Sequence, residues 1–121
     1  MFAAHYGLDN LTAIVDNNGL QIDGKITDVC SPEPIPDKFA AFGWHVIQMD
    51  AHDFNDIDRA FREAERVTQQ PVAIIQHSVK SKGVSFMENQ VGWHGSAPNT
   101  EQYEQAMKEL RETLNRLEAQ A

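Results

Sequence analysis

The sequence has little of three things that would indicate a membrane span, a disulfide scaffold or a polyanionic partner. It contains one cysteine, Cys30, which cannot form a disulfide within the chain, so we expect a reducing, cytoplasmic setting. No apolar run approaches the roughly 20 residues that a membrane-spanning helix needs. Acidic residues outnumber basic ones and the formal net charge is −8, which argues against nonspecific binding to nucleic acid or anionic membranes.

What is present is the composition of an ordinary globular protein. Of the 121 residues, 41% are apolar and 23% are charged, which is enough for one modest core. No internal repeat, low-complexity segment or linker divides the chain. We therefore expect residues 1–121 to form a single domain.

Predicted strands alternate with predicted helices along the chain. Strands are predicted where short apolar runs occur, at about 11–15, 45–50 and 71–79. Helices are predicted from apolar spacing and stop signals, at about 35–43, 53–67 and 100–119. This alternation is typical of the α/β class, with a three-layer, mostly parallel sheet and helices on both faces.

The opening residues, MFAAHYGLDN, have the pattern of the last turns of an amphipathic helix that stops at Gly7. No N-cap residue precedes that helix. The pattern fits equally well a chain that starts at Met1 and a chain that is the latter part of something longer.

Two long polar segments follow predicted strands, at 16–36 and 80–99. Long ordered loops are often functional. In parallel sheets, ligands collect beyond the carboxyl ends of the strands. We therefore expect these two segments to face one pocket.

The first of these segments begins DNNGLQIDG, which suits either a cation site or a plain turn. The Asn18 side-chain oxygen is a ligand that Mg²⁺ accepts, and Gly19 lets the backbone turn so that the Leu20 carbonyl can face the same ion. Such a site would still need a carboxylate from elsewhere and anionic ligand oxygens. Asp, Asn and Gly are equally typical of a turn without a ligand.

The second segment contains two lysines, Lys80 and Lys82, and a histidine, His94, between Trp93 and Gly95. A loop histidine can donate or accept a hydrogen bond or move a proton near neutral pH. The alternatives are a loop histidine without a role and ordinary surface lysines.

The remaining ionisable residues have structural explanations. No two histidines, and no histidine with Cys30, have the spacing of a zinc site. We expect His45 to pack and His77, inside the third strand, to bond to backbone partners. The carboxylates of 53–67 alternate with arginines, as on a solvated helix face.

Four segments occur in the order and at the spacing found in transketolases: IVDNNGLQIDG, FGWHVIQMDAHD, PVAIIQHSVKSKGVSFMEN and GWHGSAP. Together they resemble the thiamine diphosphate domain of that family, often a separate N-terminal subunit in split transketolases. The resemblance covers almost all of the chain, and the combination is specific although no single piece is. It implies the thiamine diphosphate-binding fold, of which this chain is the latter part.

The resemblance implies roles for five residues. Asn18 matches the position whose side chain binds Mg²⁺ and contacts the diphosphate, and Leu20 matches the position whose backbone carbonyl binds the metal. Ile22 matches an apolar position near the thiazolium. His94 matches the histidine that contacts cofactor and substrate, and it is the implied catalytic residue. Lys80 matches a basic position near the active site that only some members keep.

Other parts of the family's site have no match in this sequence. The Gly-Asp-Gly that supplies the Mg²⁺ carboxylate does not occur. The glutamate that activates the aminopyrimidine belongs to another domain, supplied by a partner chain. The implied partner is thus a pyrimidine-binding transketolase domain or subunit, in a dimer or heterotetramer.

The implied activity is the transfer of a two-carbon ketol unit from a ketose to an aldose, both sugar phosphates, in the pentose phosphate pathway. Thiamine diphosphate and Mg²⁺ are the implied cofactors. We expect no turnover from this chain alone. Two alternatives stay open: another thiamine diphosphate transferase, such as deoxyxylulose-phosphate synthase, and a non-catalytic scaffold subunit.

Overall fold

The computed structural model describes residues 1–120, which group into two compact units. The first unit comprises Met1–Gly19 and Ile26–Ser78, and the second comprises Leu20–Lys25 and the chain from Val79 onwards. Among the described residues, no helix is both long and apolar enough to cross a lipid bilayer.

The first unit is built on a three-stranded parallel sheet. Its elements in chain order are α1 (Phe2–His5), β1 (Thr12–Asn17), α2 (Ile26–Val29), α3 (Ile35–Ala41), β4 (His45–Asp50), α4 (Phe54–Ala64) and β5 (Val72–His77). The strand order is β1-β5-β4, so the last strand lies in the centre. Thr12 and His45 both pair with Val72, which brings the carboxyl ends of the three strands to one edge.

The core of this unit lies between the sheet and α4. Ile47 and Met49 of β4 pack with Val72 and Ile74 of β5. Two small residues of α4, Ala60 and Ala64, pack against them. Ala73 and Ile75, which point to the opposite face of β5, are also fully buried. Both faces of the central strand are therefore covered, as the α/β prediction requires.

Caps and turns mark the starts and ends of the helices near the predicted positions. Asp53 caps α4 by accepting hydrogen bonds from the backbone N–H groups of Asn55 and Asp56. Gly43 ends the segment after α3 with φ +81°, a conformation that glycine adopts without strain. The predicted strand at 45–50 is confirmed, and the helix and strand that follow it differ from prediction by a few residues at their ends.

The second unit contains a small hairpin and a long helix. Its elements are β2 (Leu20–Gln21), β3 (Gly24–Lys25), a 3-10 helix (Val91–Trp93) and α5 (Thr100–Glu118). A capping box begins α5, in which Asn99 and Gln102 each accept a hydrogen bond from the other's backbone N–H at 2.9 Å. Val84 is a buried apolar residue of this unit.

Two expectations need correction. The segment 16–36 is not one long loop, because the hairpin of β2 and β3 and the short helix α2 lie within it. His77 bonds to a side chain rather than to the backbone, since its Nε2 lies 3.0 Å from Oε1 of Gln48. Elements of two to four residues are too short to show a periodic apolar pattern, and a cross-strand side-chain pair leaves no local signal.

Candidate functional site

The turn that carries the predicted ligands follows the carboxyl end of β1. Asn18 is half-buried and comes directly after Asn17, the last residue of the strand. Gly19 has φ +73°, and a side chain added there would meet no atom within 4 Å. Glycine is therefore required by the backbone conformation and not by crowding. The Gly19 carbonyl accepts a hydrogen bond from the Ile26 N–H at 3.0 Å, which closes the turn.

Polar side chains join the ends of β1 and β5 at this edge of the sheet. The Asp16 carboxylate accepts hydrogen bonds from the Ser78 hydroxyl and, at 3.4 Å, from the Gln76 side-chain amide. The backbone N–H of Ser78 donates to the carbonyl of Asn17 at 3.5 Å. These contacts fix the end of β1 just before the turn.

A glutamate from a later loop contacts the same strand end. Nδ2 of Asn17 donates to Oε1 of Glu33 at 2.9 Å, and the backbone N–H of Ile35 donates to Oε2 at 2.9 Å. The Ile35 N–H and then the Asn17 amide hold the pKa of the Glu33 carboxyl below its ordinary value, because both bonds favour the charged form.

Two further predicted residues lie on the hairpin of the second unit. Leu20 pairs with Lys25 in the antiparallel ladder of β2 and β3. Ile22 stands in the tight turn between these strands, with 64% of its surface exposed. An apolar side chain on a hairpin tip is accessible to a ligand or a partner surface.

The last two predicted residues lie in the segment of the second unit that precedes α5. The carbonyl of Lys80 accepts a hydrogen bond from the Asn89 N–H at 3.1 Å. The Trp93 indole donates to the Phe86 carbonyl at 3.2 Å, and the two rings meet edge to face at 5.5 Å. His94 follows this pair and is exposed, so its imidazole is open to solvent and to any ligand. Lys80 is half-buried.

The donor chemistry suits a metal that is already bound to an anion. Within residues 1–120, no cluster of three or more His, Cys, Asp or Glu side chains could hold a metal ion. Asn18 has a side-chain amide oxygen and Leu20 a backbone carbonyl oxygen, both neutral and of the kind that Mg²⁺ accepts. These residues fit a magnesium diphosphate and not a free cation, since the anion would supply the missing charge.

A cavity of the first unit lies away from this turn. Its volume is about 680 Å³, and its walls include His5, Phe42 and Gln69. Phe42 and Gln69 precede β4 and β5, so the cavity opens at the amino ends of the strands. It contains none of the residues predicted for the site.

Comparison with known families decides the identity of the fold. The sequence profile of the transketolase thiamine diphosphate binding domain matches residues 1–115. The chain belongs to the transketolase family. The family expected from the four sequence segments is thereby confirmed.

Several proteins named as transketolase subunits are similar in sequence to this chain. One of them, from an apulose-4-phosphate transketolase of Phocaeicola vulgatus, is 43% identical over 118 residues, which cover 98% of this chain and 42% of that protein. The SqwG protein of a 6-deoxy-6-sulfo-D-fructose transketolase from a Clostridium species is 38% identical, over 91% of this chain and 40% of that protein. The chain spans about two fifths of the length of these relatives.

Solved transketolases have the same fold. The transketolase of Campylobacter jejuni superposes with a TM-score of 0.82 at 27% identity, over 88% of this chain and 17% of that one. A transketolase of Pichia stipitis in complex with sedoheptulose 7-phosphate gives 0.79 at 29% identity, over 87% of this chain and 16% of that one. A parallel sheet flanked by helices, as predicted, is thus the transketolase arrangement.

Sequence reasoning missed the polar contacts that support the turn. Asp16, Glu33 and Ser78 all bond at or next to Asn17, and none of them is among the predicted site residues. Ser78 stands two residues before Lys80, at the end of the strand that the apolar run marks. A polar residue at a predicted strand end is a signal from which Ser78 could have been assigned to the site. Glu33 lies 16 residues beyond Asn17 and has none.

Proposed function

We propose that this chain is the cofactor-binding part of a transketolase that transfers a two-carbon ketol unit from a ketose phosphate to an aldose phosphate. The observation that carries the proposal is the turn at Gly19. It has a positive φ, follows the carboxyl end of a parallel strand, and lies inside the match to the thiamine diphosphate binding domain. Residues 1–121 would act as a single domain that forms part of that binding site.

Asn18 and Leu20 are proposed to bind Mg²⁺ and thereby the diphosphate. Both offer neutral oxygens, so the metal keeps a positive charge to share with the anionic cofactor. The closed turn at Gly19 fixes the direction in which Asn18 leaves β1. Ile22 would contact the apolar part of the cofactor. When bound, thiamine diphosphate supplies the carbon nucleophile of the transfer, and the protein supplies placement and charge.

His94 is the proposed catalytic residue. Its exposed imidazole can hydrogen-bond to hydroxyl or carbonyl oxygens of a sugar, or move a proton during transfer. The Phe86–Trp93 contact next to it gives the loop a fixed base. Lys80 would add a positive charge toward a phosphate.

The partner and the setting follow from the same proposal. Two of the similar proteins are named as transketolase subunits. We propose a pyrimidine-binding partner chain, an assembly that is a dimer or heterotetramer, and a cytoplasmic setting. The names of these relatives support sugar phosphates or related ketoses as substrates. The chain alone should not catalyse the transfer.

The test is a ketol-transfer assay on the full-length protein assembled with its partner chain. A ketose phosphate and an aldose phosphate serve as substrates, with and without thiamine diphosphate and MgCl₂. We expect turnover that needs both cofactors and that falls at least roughly 100-fold in His94→Ala. His5→Ala is the matched control, because His5 is also an exposed histidine and lies on α1. Turnover without thiamine diphosphate would contradict the proposal, and cofactor binding without any turnover would favour a scaffold.

A further inference from the structure

Glu33 has more contacts than an exposed loop glutamate needs. Its two carboxylate oxygens accept one hydrogen bond each, from Asn17 and from the Ile35 N–H. Its own backbone N–H donates to the Ser31 hydroxyl at 3.2 Å, and its carbonyl accepts from Nζ of Lys38 at 3.2 Å. The glutamate is therefore held from both sides before it contacts β1.

Asn17 receives this contact at the last position of β1. Its carbonyl is bonded to the Ser78 N–H, and its side chain is bonded to Glu33. Backbone and side chain are thus fixed by two different parts of the first unit. Since the dihedral angles of Asn17 set the direction in which Asn18 leaves the strand, a fixed Asn17 also orients Asn18.

We propose that Glu33 is a positioning residue, which orients the proposed metal ligand Asn18 through its hydrogen bond to Asn17. The inference rests on the proposed function, because Asn18 must bind the magnesium diphosphate for its orientation to matter. Glu33 itself does not contact the cofactor in this role. Residues behind a metal ligand commonly determine affinity by holding the ligand in place.

The chemistry of the bond separates this role from direct metal binding. A positioning residue needs an oxygen that accepts from the Asn17 amide, and a neutral glutamine can provide one. A direct metal ligand at Glu33 would instead supply the carboxylate charge that the neutral oxygens of Asn18 and Leu20 lack. Glu33→Gln keeps an acceptor oxygen for the Asn17 amide but gives up the one that accepts from the Ile35 N–H, so it should restore part of what Glu33→Ala loses.

The experiment measures the affinity of the assembled full-length protein for thiamine diphosphate in the presence of MgCl₂, by calorimetry. We expect Glu33→Ala to weaken binding roughly 10-fold. Asn17→Ala should weaken it by a similar factor, and the double variant should be no worse than the weaker-binding single variant, since both remove the same contact. Asp9→Ala is the matched control. It removes a carboxylate that accepts a hydrogen bond from the Gln69 N–H at 3.1 Å. This contact lies near the amino ends of β1 and β5, away from Asn18, so the variant should leave the affinity unchanged.

The outcomes distinguish this inference from the proposed function. No binding by the unmutated assembly would overturn both. Normal binding that Glu33→Ala leaves unchanged would overturn only the positioning role. A Glu33→Gln variant as weak as Glu33→Ala, or losses that add in the double variant, would also overturn it, because the affinity would then not depend on the contact with Asn17. Thermal unfolding of each variant shows whether it is folded at the temperature of the titration, so that a loss of affinity is not a loss of folded protein.

Discussion

The central strand β5 and the long helix α5 are stabilised in different ways. Four consecutive residues of β5, Val72 to Ile75, are buried. None of the 19 residues of α5 is buried, although Tyr103, Leu114 and other apolar residues form a stripe along it. The strand is specified by burial on both faces, and the helix is specified by signals at its ends and by helix-forming residues along it.

This difference shows what the apolar pattern of a sequence does and does not predict. The stripe of α5 correctly predicted a helix, since the spacing of its apolar residues follows the helical period. It did not predict burial, because Leu114 and Leu117 remain more than half exposed. In β5, the same kind of residues predicted both the strand and its burial.

The largest expected effect is in the buried strand. Ile74→Ala removes a fully buried side chain and should lower the free energy of unfolding by about 2–5 kcal/mol. Ile14→Ala is the matched control, because Ile14 pairs directly with Ile74 in the sheet and is 50% exposed. It should cost only about 1 kcal/mol. Urea denaturation of both variants measures the difference, and equal losses would refute the contrast between edge and centre.

A smaller effect is expected at the start of α5. Asn99→Ala removes the side chain that accepts the Gln102 N–H and should cost about 1 kcal/mol. Asn115→Ala, inside the same helix, should not destabilise it, since alanine has the higher helix propensity. Helical circular dichroism during thermal unfolding compares the two. If Asn99→Ala had no effect, the helix would depend on packing and not on its cap.

The smallest expected effect depends on pH. The Ser85 backbone N–H, then Gln105 and the Ser85 hydroxyl, hold the pKa of Glu109 below its ordinary value of 4.5. Because the folded form binds the proton less readily than the unfolded form, this contribution is present above pH 4.5 and is lost as the pH falls through the lowered pKa. We expect Glu109→Gln to flatten the acid side of the stability profile and Ser85→Ala to flatten it partly. An unchanged acid slope in Glu109→Gln would show that the contact has no influence on stability.

Much of the fold could be predicted from the sequence, for definable reasons. β4 has the predicted bounds, and α4 starts directly after Asp53, a residue type that commonly caps helices. Both signals are local. The hairpin of β2 and β3 could not be predicted, because two-residue strands have no period to detect.

The candidate site was predictable only in part. Asn18, Gly19 and Leu20 stand close together in the chain, so their pattern could be recognised. The positive φ of Gly19 agrees with the expected tight turn. The contact of Glu33 with Asn17 depends on how a distant loop folds back, and no residue pattern records it. Whether the two loops share one pocket stays a prediction.

The most direct test of the account is the contribution of Asn18 to cofactor affinity. Calorimetric titration of the assembled full-length protein with thiamine diphosphate and MgCl₂ should give an affinity at least roughly 10-fold weaker in Asn18→Ala than in the unmutated protein. Asn10→Ala is the matched control, since Asn10 is an exposed asparagine in the turn before β1, and it should bind as the unmutated protein does. Equal affinities for all three proteins would contradict the claim that the turn after β1 binds the magnesium diphosphate.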